Sequence, residues 1–316
     1  MFNKKIGKTM ILMSMALLLA ACSKPTGEAA ESTAGSIAIK DFANRTVTFS
    51  KAPESIAALG SGDVDLMHAF GNEVVGKPTL SDEGQLAKVA KDAEEIGTTH
   101  EVNYEKIALL QPDVVLANVG FNQEDVPTIE GLGTKVILTE ANSISDIKKQ
   151  ITLYGEMLQK TDKAAQLIKE LDVELKTAAS ALKDTNKRVL LVYGAPGTYM
   201  AALPNSLSGD FLAAAGGINV ASDYPALEKF PQYAQINTER VVEANPDAVL
   251  LITHGDAEEI KQGFLKEMKQ NAAWTSLDAV KKERVEVLPS ELFGTNPGTR
   301  AVDAVQYLVE LLNHLE

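Results

Sequence analysis

One stretch of this chain occurs twice. Residues 103–117 read NYEKIALLQPDVVLA and residues 237–251 read NTERVVEANPDAVLL. Aligned without a gap, the copies share Asn103 and Asn237, Glu105 and Glu239, Pro112 and Pro246, Asp113 and Asp247, Val115 and Val249, and Leu116 and Leu250, with a basic residue at Lys106 and Arg240. The constant offset, 134 residues from Glu105 to Glu239, lies far beyond the period of about 20 to 50 residues that marks stacked repeats. It is the signature of a duplicated domain, and two similar lobes are expected.

Within each lobe, short apolar β-branched runs are bounded by Gly, Pro, Asn or Asp. In the first they are SIAALG, EVVGKP, DVVLANVG and TKVILTE; in the second RVLLVYG, INVA, DAVLLITHG and RVEVLP. Such runs read as buried strands, and the helices between them imply α/β lobes with mainly parallel sheets flanked by helices. Ligand-binding loops then belong at the carboxyl ends of the strands, in the cleft between the lobes. Between the lobes, residues 161–184 carry apolar residues at Leu167, Ile168, Leu171, Leu175, Ala178, Ala179 and Leu182 with no Gly or Pro. That spacing predicts a single long helix joining the lobes, roughly 23 residues and about 34 Å in length, a stiff strut that allows only modest hinge closure. The expected N-lobe is 37–160 and the C-lobe 185–316.

The start of the chain points to its compartment. Lys4, Lys5 and Lys8 precede an apolar run from Met10 to Ala21, too short to span a bilayer and suited to a signal peptide over 1–21. It ends in Leu19-Ala20-Ala21-Cys22, which resembles a lipobox, so lipidation of Cys22 and anchoring at the extracytoplasmic face of the cell membrane are expected. Cys22 is the only cysteine, which excludes an internal disulfide and thiolate clusters. Residues 22–36 are small and polar, the composition of a flexible tether. The net charge of −13, made more negative by loss of the three leader lysines, argues against nucleic acid as a partner.

The helix read from the duplicated stretch begins with an Asn cap and an acidic first turn, which the helix dipole alone favours by about 0.3 to 1 kcal/mol. At this point the chain resembles a family, the substrate-binding lipoproteins of ABC importers for ferric siderophores, cobalamin and haem. The resemblance implies that Glu105 and Glu239 dock onto the membrane subunits of the importer. It is closer to the haem-receptor lipoproteins of Gram-positive surfaces, on VVGKPT at 74–79, EIGTTHEVNYEKI at 95–107, PGTYMAALPNSLSGDFLAAAGGINV at 196–220 and HGDAEEIKQGFLKEMKQNAAW at 254–274. It implies haem as transported ligand, with His254 as an iron ligand from the C-lobe. The N-lobe ligand of those receptors is a methionine, and here the matching position is His100, one iron ligand in place of another. Both histidines read as loop residues beside the cleft. Lys77 and Arg300 are candidates to meet the propionates, and Tyr199, in a GAPGTYM stretch read as a cleft loop, offers an aromatic face. Met67 and His68, in the helix DVDLMHAFG, are alternative ligands with a packing or surface role as the plainer reading; His314 reads as solvated.

A ferric siderophore is the alternative cargo, although such anions call for several Arg or Lys in the cleft and no basic cluster occurs in a cleft loop. A zinc or manganese receptor would need three or four converging ligands. No G-x-S-x-G, H-E-x-x-H or complete G-x-x-x-x-G-K-[ST] motif is present, Pro78 standing where the last would need Ser or Thr after Gly76-Lys77, so no enzymatic activity and no catalytic cofactor are expected. The tether gives a first prediction. Cys22→Ala should abolish lipid attachment in metabolic labelling while leaving ligand binding intact; lipid found on the variant would refute the anchor.

Overall fold

A computed structural model describes residues 35–80, 84–98, 100–184, 186–195, 198–253 and 257–315. The leader, Cys22 and nearly all of the tether lie outside these, as does His254. The strands are β1 (Ile37–Lys40), β2 (Thr46–Phe49), β3 (Ile56–Ala58), β4 (Gly76–Lys77), β5 (Glu94–Glu95), β6 (Val114–Asn118), β7 (Lys135–Thr139), β8 (Arg188–Ala195), β9 (Thr198–Ala202), β10 (Ile218–Asn219), β11 (Tyr233–Gln235), β12 (Ala248–Thr253) and β13 (Val285–Val287). The N-lobe sheet has the order β5-β4-β3-β6-β7 with every pairing parallel. In the C-lobe, β10, β8, β12 and β13 repeat the β4, β3, β6, β7 arrangement, again parallel. The duplication read in the sequence is thus a duplication of topology.

The repeated residues explain themselves locally. The side chains of Asn103 and Asn237 accept from the backbone N–H of Lys106 and Arg240, each at 3.0 Å, capping matching helices Tyr104–Leu110 and Thr238–Ala244 and satisfying one of the donors a helix start leaves orphaned. Both helices stop on a left-handed residue, Gln111 and Asn245. Beyond them, the Asp113 carboxylate accepts from the N–H of Glu54 and Ser55 at 2.8 and 2.9 Å, just before β3, and Asp247 accepts from the N–H of Arg188 at 2.8 Å, the first residue of β8. Each aspartate pins the leading end of the neighbouring strand.

The apolar runs alternate between two cores. Val114 and Leu116 of β6, Val189 and Leu191 of β8, and Ala248, Leu250 and Ile252 of β12 face one core that continues through both lobes. Their neighbours, Val115 and Ala117 in the N-lobe and Leu190, Val192, Val249 and Leu251 in the C-lobe, face a core private to each lobe. Burial on both faces is why these strands are continuously apolar. The linking helix, Thr161–Ser180, enters the shared core through Ala164, Leu167 and Leu171 and packs against helices Ile144–Met157 and Ala301–His314. It is 20 residues long, about 30 Å, and stops short of residue 184. There the Asn313 amide donates to the Ala181 carbonyl and accepts from Lys183 N–H, both at 2.9 Å, so a side chain takes over from the next helical turn.

Three elements differ from the expected plan. β1 and β2 form an antiparallel hairpin ahead of the N-lobe sheet. In the C-lobe β9 is antiparallel to β8, and β11 to β9, so this sheet is mixed at one edge. Gly194 and Ala195 of the GAPGTYM stretch close β8 and Thr198, Tyr199 and Met200 open β9, so Tyr199 sits on a strand and not in a loop.

A polar junction ties the lobes together. Asp65, from helix Ser61–Ala69, accepts from Thr299 through the backbone N–H at 2.6 Å and the hydroxyl at 2.7 Å. Asn296 donates to Gln150 Oε1 at 2.7 Å; Gln150 Nε2 donates to Asp63 Oδ1 at 2.6 Å, and Tyr154 donates to the same oxygen at 2.5 Å. The approach is close enough that a Cβ on Gly62 would lie 2.3 Å from the Asn296 carbonyl oxygen. Burial pushes the Asp63 carboxyl from 3.8 up to about 6, against the hydrogen bonds of Tyr154 and Gln150. The folded state therefore holds this proton more tightly than the unfolded chain, so stability falls as pH rises between about 4 and 6 and stays lower above that window. Asp63→Asn keeps an oxygen for both donors and removes the ionisation. Its stability relative to wild type should rise by roughly 2 to 3 kcal/mol between pH 4 and pH 7, measured by chemical denaturation; a difference independent of pH would refute the assignment.

Candidate functional site

The N-lobe loops at the carboxyl ends of β5 and β6 bring two rings together. After β5, Gly97 bridges to Val102, and the Thr98 hydroxyl accepts from the N–H of His100 at 3.2 Å and of Glu101 at 3.0 Å. This tight turn displays His100 as an exposed residue. Its imidazole meets Phe121 edge to face, with ring centroids 4.7 Å apart and planes at 73°. Phe121 belongs to the short helix Val119–Asn122 that follows β6, capped by the Asn118 side chain, which accepts from Gly120 N–H at 2.8 Å. Phe121 was not among the residues expected at the site. The only sequence signal for it is an aromatic residue directly beyond a buried parallel strand, where ligand loops lie.

In the C-lobe, β12 ends at buried Thr253, and His254 is the next residue along the chain. Tyr199 turns into its own lobe, its ring 4.9 Å from Phe264 and its hydroxyl donating to the Ile260 carbonyl at 3.3 Å.

Both cations expected to meet an anionic ligand are engaged inside the protein. Lys77 Nζ donates to the Ala90 carbonyl at 2.9 Å. Arg300, its side chain only 10% exposed, lies with Nε 3.7 Å from Asp65 Oδ1 and Nη2 3.3 Å from the Glu291 carbonyl. This corrects the expectation for Arg300: its guanidinium completes the interlobe junction, where it offsets the burial that raises the Asp65 carboxyl. Met67 is fully buried in the shared core, so its sulfur is reached only by unpacking its helix. His68 is exposed on that helix, one position from the buried face. His314 caps its own helix end, its Nδ1 2.6 Å from the Glu310 carbonyl. Among the described residues no group of three or more His, Cys, Asp or Glu converges to hold a metal ion.

Glu105 and Glu239 occupy equivalent exposed positions in the first turns of their capped helices. The cation that follows each is held by a separate acid: Lys106 by Glu94 at 2.6 Å, and Arg240 by Asp223, with the Arg240 guanidinium 4.5 Å above the Tyr224 ring. Among the described residues neither glutamate carboxylate has a hydrogen-bond or ion-pair partner.

Two α/β lobes of one topology, joined by a helix and bolted at a polar junction, with loops gathered at the carboxyl ends of both sheets, define a two-lobed solute receptor. The family described as periplasmic binding protein matches residues 56–292, and the chain belongs to that family, whose members work with the permease subunits of ABC transporters. Over 240 residues it is 34% identical to the high-affinity heme uptake system protein IsdE of Staphylococcus aureus, a match covering 75% of this chain and 80% of that one. The crystal structure of S. aureus IsdE complexed with heme superposes with a TM-score of 0.69 at 31% identity, covering 82% of this chain and 98% of that one. The triscatecholate siderophore binding protein FeuA of Bacillus subtilis, complexed with ferri-bacillibactin, shares the fold with a TM-score of 0.70 at 23% identity, covering 88% and 97%. Among the described residues no helix is long and apolar enough to cross a membrane.

Proposed function

We propose that this protein is a lipid-anchored receptor at the extracytoplasmic face of the membrane that captures haem and delivers it to an ABC importer. The observation that carries the reading is the exposed imidazole of His100 at the carboxyl end of the N-lobe sheet, in a chain 34% identical to a haem-uptake protein. His254, first residue beyond β12, supplies the second ligand from the C-lobe. Neutral imidazoles from the two lobes would grip the iron from opposite faces. With Arg300 committed to Asp65, the propionates are left to solvent, to backbone donors or to a further proton of Lys77.

Haem titrated into the pure protein should give a six-coordinate, low-spin spectrum. His254→Ala should lose that signature, and His100→Met should retain binding but raise the reduction potential, since thioether favours ferrous iron more than imidazole does. A flat titration, with a ferric catecholate bound instead, would replace haem by siderophore as cargo.

Glu105 and Glu239 are assigned to permease docking, a role their unpaired carboxylates and matched placement support. Replacing both with Ala should leave haem affinity within about twofold, because each lies outside the ligand loops, yet sharply reduce import in cells. Undiminished uptake by the double variant would leave these glutamates only their helix-dipole role.

A further inference from the structure

Phe121 and Asn122 invert the usual order of burial. The phenyl ring is 55% exposed, while the adjacent Asn122 is fully buried. The buried amide is a structural anchor: its Oδ1 accepts from Asn118 N–H at 3.1 Å and its Nδ2 donates to Asp125 at 2.9 Å, and Asp125 in turn accepts from the Tyr104 hydroxyl at 2.5 Å. The turn is therefore held by its polar residue, and the aromatic one is turned outward by a scaffold with satisfied hydrogen bonds. An aromatic ring so displayed forfeits burial that a large apolar side chain would otherwise gain, and it meets the imidazole of His100 edge to face.

We propose that Phe121 is a ligand-facing residue that forms an apolar wall against the face of a flat tetrapyrrole beside the His100–iron bond. The inference rests on the haem reading above and adds a residue to it. An axial imidazole stands perpendicular to the macrocycle it ligates. A phenyl ring at 73° to that imidazole can therefore lie nearly parallel to the macrocycle, and with its centroid 4.7 Å from that of the imidazole it would sit beside the axial bond, over the porphyrin. The same contact orients the imidazole, since the Thr98 hydroxyl binds only the backbone of the loop. A wall of this kind favours a broad planar ligand and offers no counter-charge to the anionic carboxylates, hydroxamates or catecholates of a siderophore.

Because the ring is 55% exposed and its turn is held by the buried Asn122 amide, Phe121→Ala should melt close to wild type, which separates a binding effect from a folding one. The probes are haem and metal-free protoporphyrin IX, titrated by absorbance and by quenching of Trp274 fluorescence. Phe121→Ala should weaken both by about tenfold, the loss of one aromatic stack. Phe121→Leu should fall between the two. His100→Ala should weaken haem alone, since protoporphyrin has no iron to ligate. Wild-type affinity of Phe121→Ala for both probes, or a loss confined to haem, would overturn the wall while leaving the haem receptor standing. A wild-type protein that binds neither probe would overturn the haem reading, and the role of Phe121 with it.

Discussion

The structure depends on a core that belongs to neither lobe alone. Every central strand presents one residue in two to a private core and the next to a core running from the N-lobe through the linking helix into the C-lobe. A duplicated domain with a flexible connection would have two closed cores and a polar face between them. Here the inner faces are apolar, and exposing them would forfeit the hydrophobic term of every strand in both sheets. The linking helix is therefore part of the packing of both lobes, and its position is set by Ala164, Leu167 and Leu171 rather than by helix propensity alone.

A continuous apolar seam has little directional content, and the polar junction supplies it. Asp63 and Asp65 stand in the first helix of the N-lobe, two residues apart, and each reaches partners from the other end of the chain: Asp65 the Thr299 backbone and hydroxyl, Asp63 the Gln150 that binds Asn296. Buried carboxylates are costly, and that of Asp63 is raised to about 6. What the cost secures is register, because hydrogen bonds tolerate far less sliding than apolar contacts do. The absence of a side chain at Gly62, and the left-handed backbone of Gly298, whose Cβ would lie 2.5 Å from Asp65 Oδ2, let the two segments approach closely enough for those bonds.

Much of this was legible in the sequence, for a physical reason: the strands are short apolar runs with breakers at both ends, and the Asn caps and Pro-Asp turns act within a few residues of themselves. The duplicated glutamates, too, were visible at their corners. What was hidden depends on partners distant in sequence. The GTNPGT stretch reads as a loop leading to a free arginine until Asp65 is placed against it. The linking helix carries no stop signal of its own, because Asn313 ends it. The strand at Tyr199 pairs antiparallel with β8 within a stretch rich in Gly and Pro that reads as a turn. Phe121 draws no expectation from the sequence, since composition cannot reveal that its neighbouring asparagine is the residue the fold buries.

The stiffness of the junction bears on how such a receptor performs in a population. With the lobes held by one helix, a shared core and a polar bolt, the separation of the acidic corners at Glu105 and Glu239 is expected to change very little when cargo is taken up. A permease that recognises those corners then meets nearly the same outline in empty and loaded copies. Under the proposed docking role, empty receptors would compete for the docking seat, and flux would be governed by the fraction of receptors occupied rather than by their number. Under scarcity, a cell that makes more of this protein without more cargo to load would throttle its own importer.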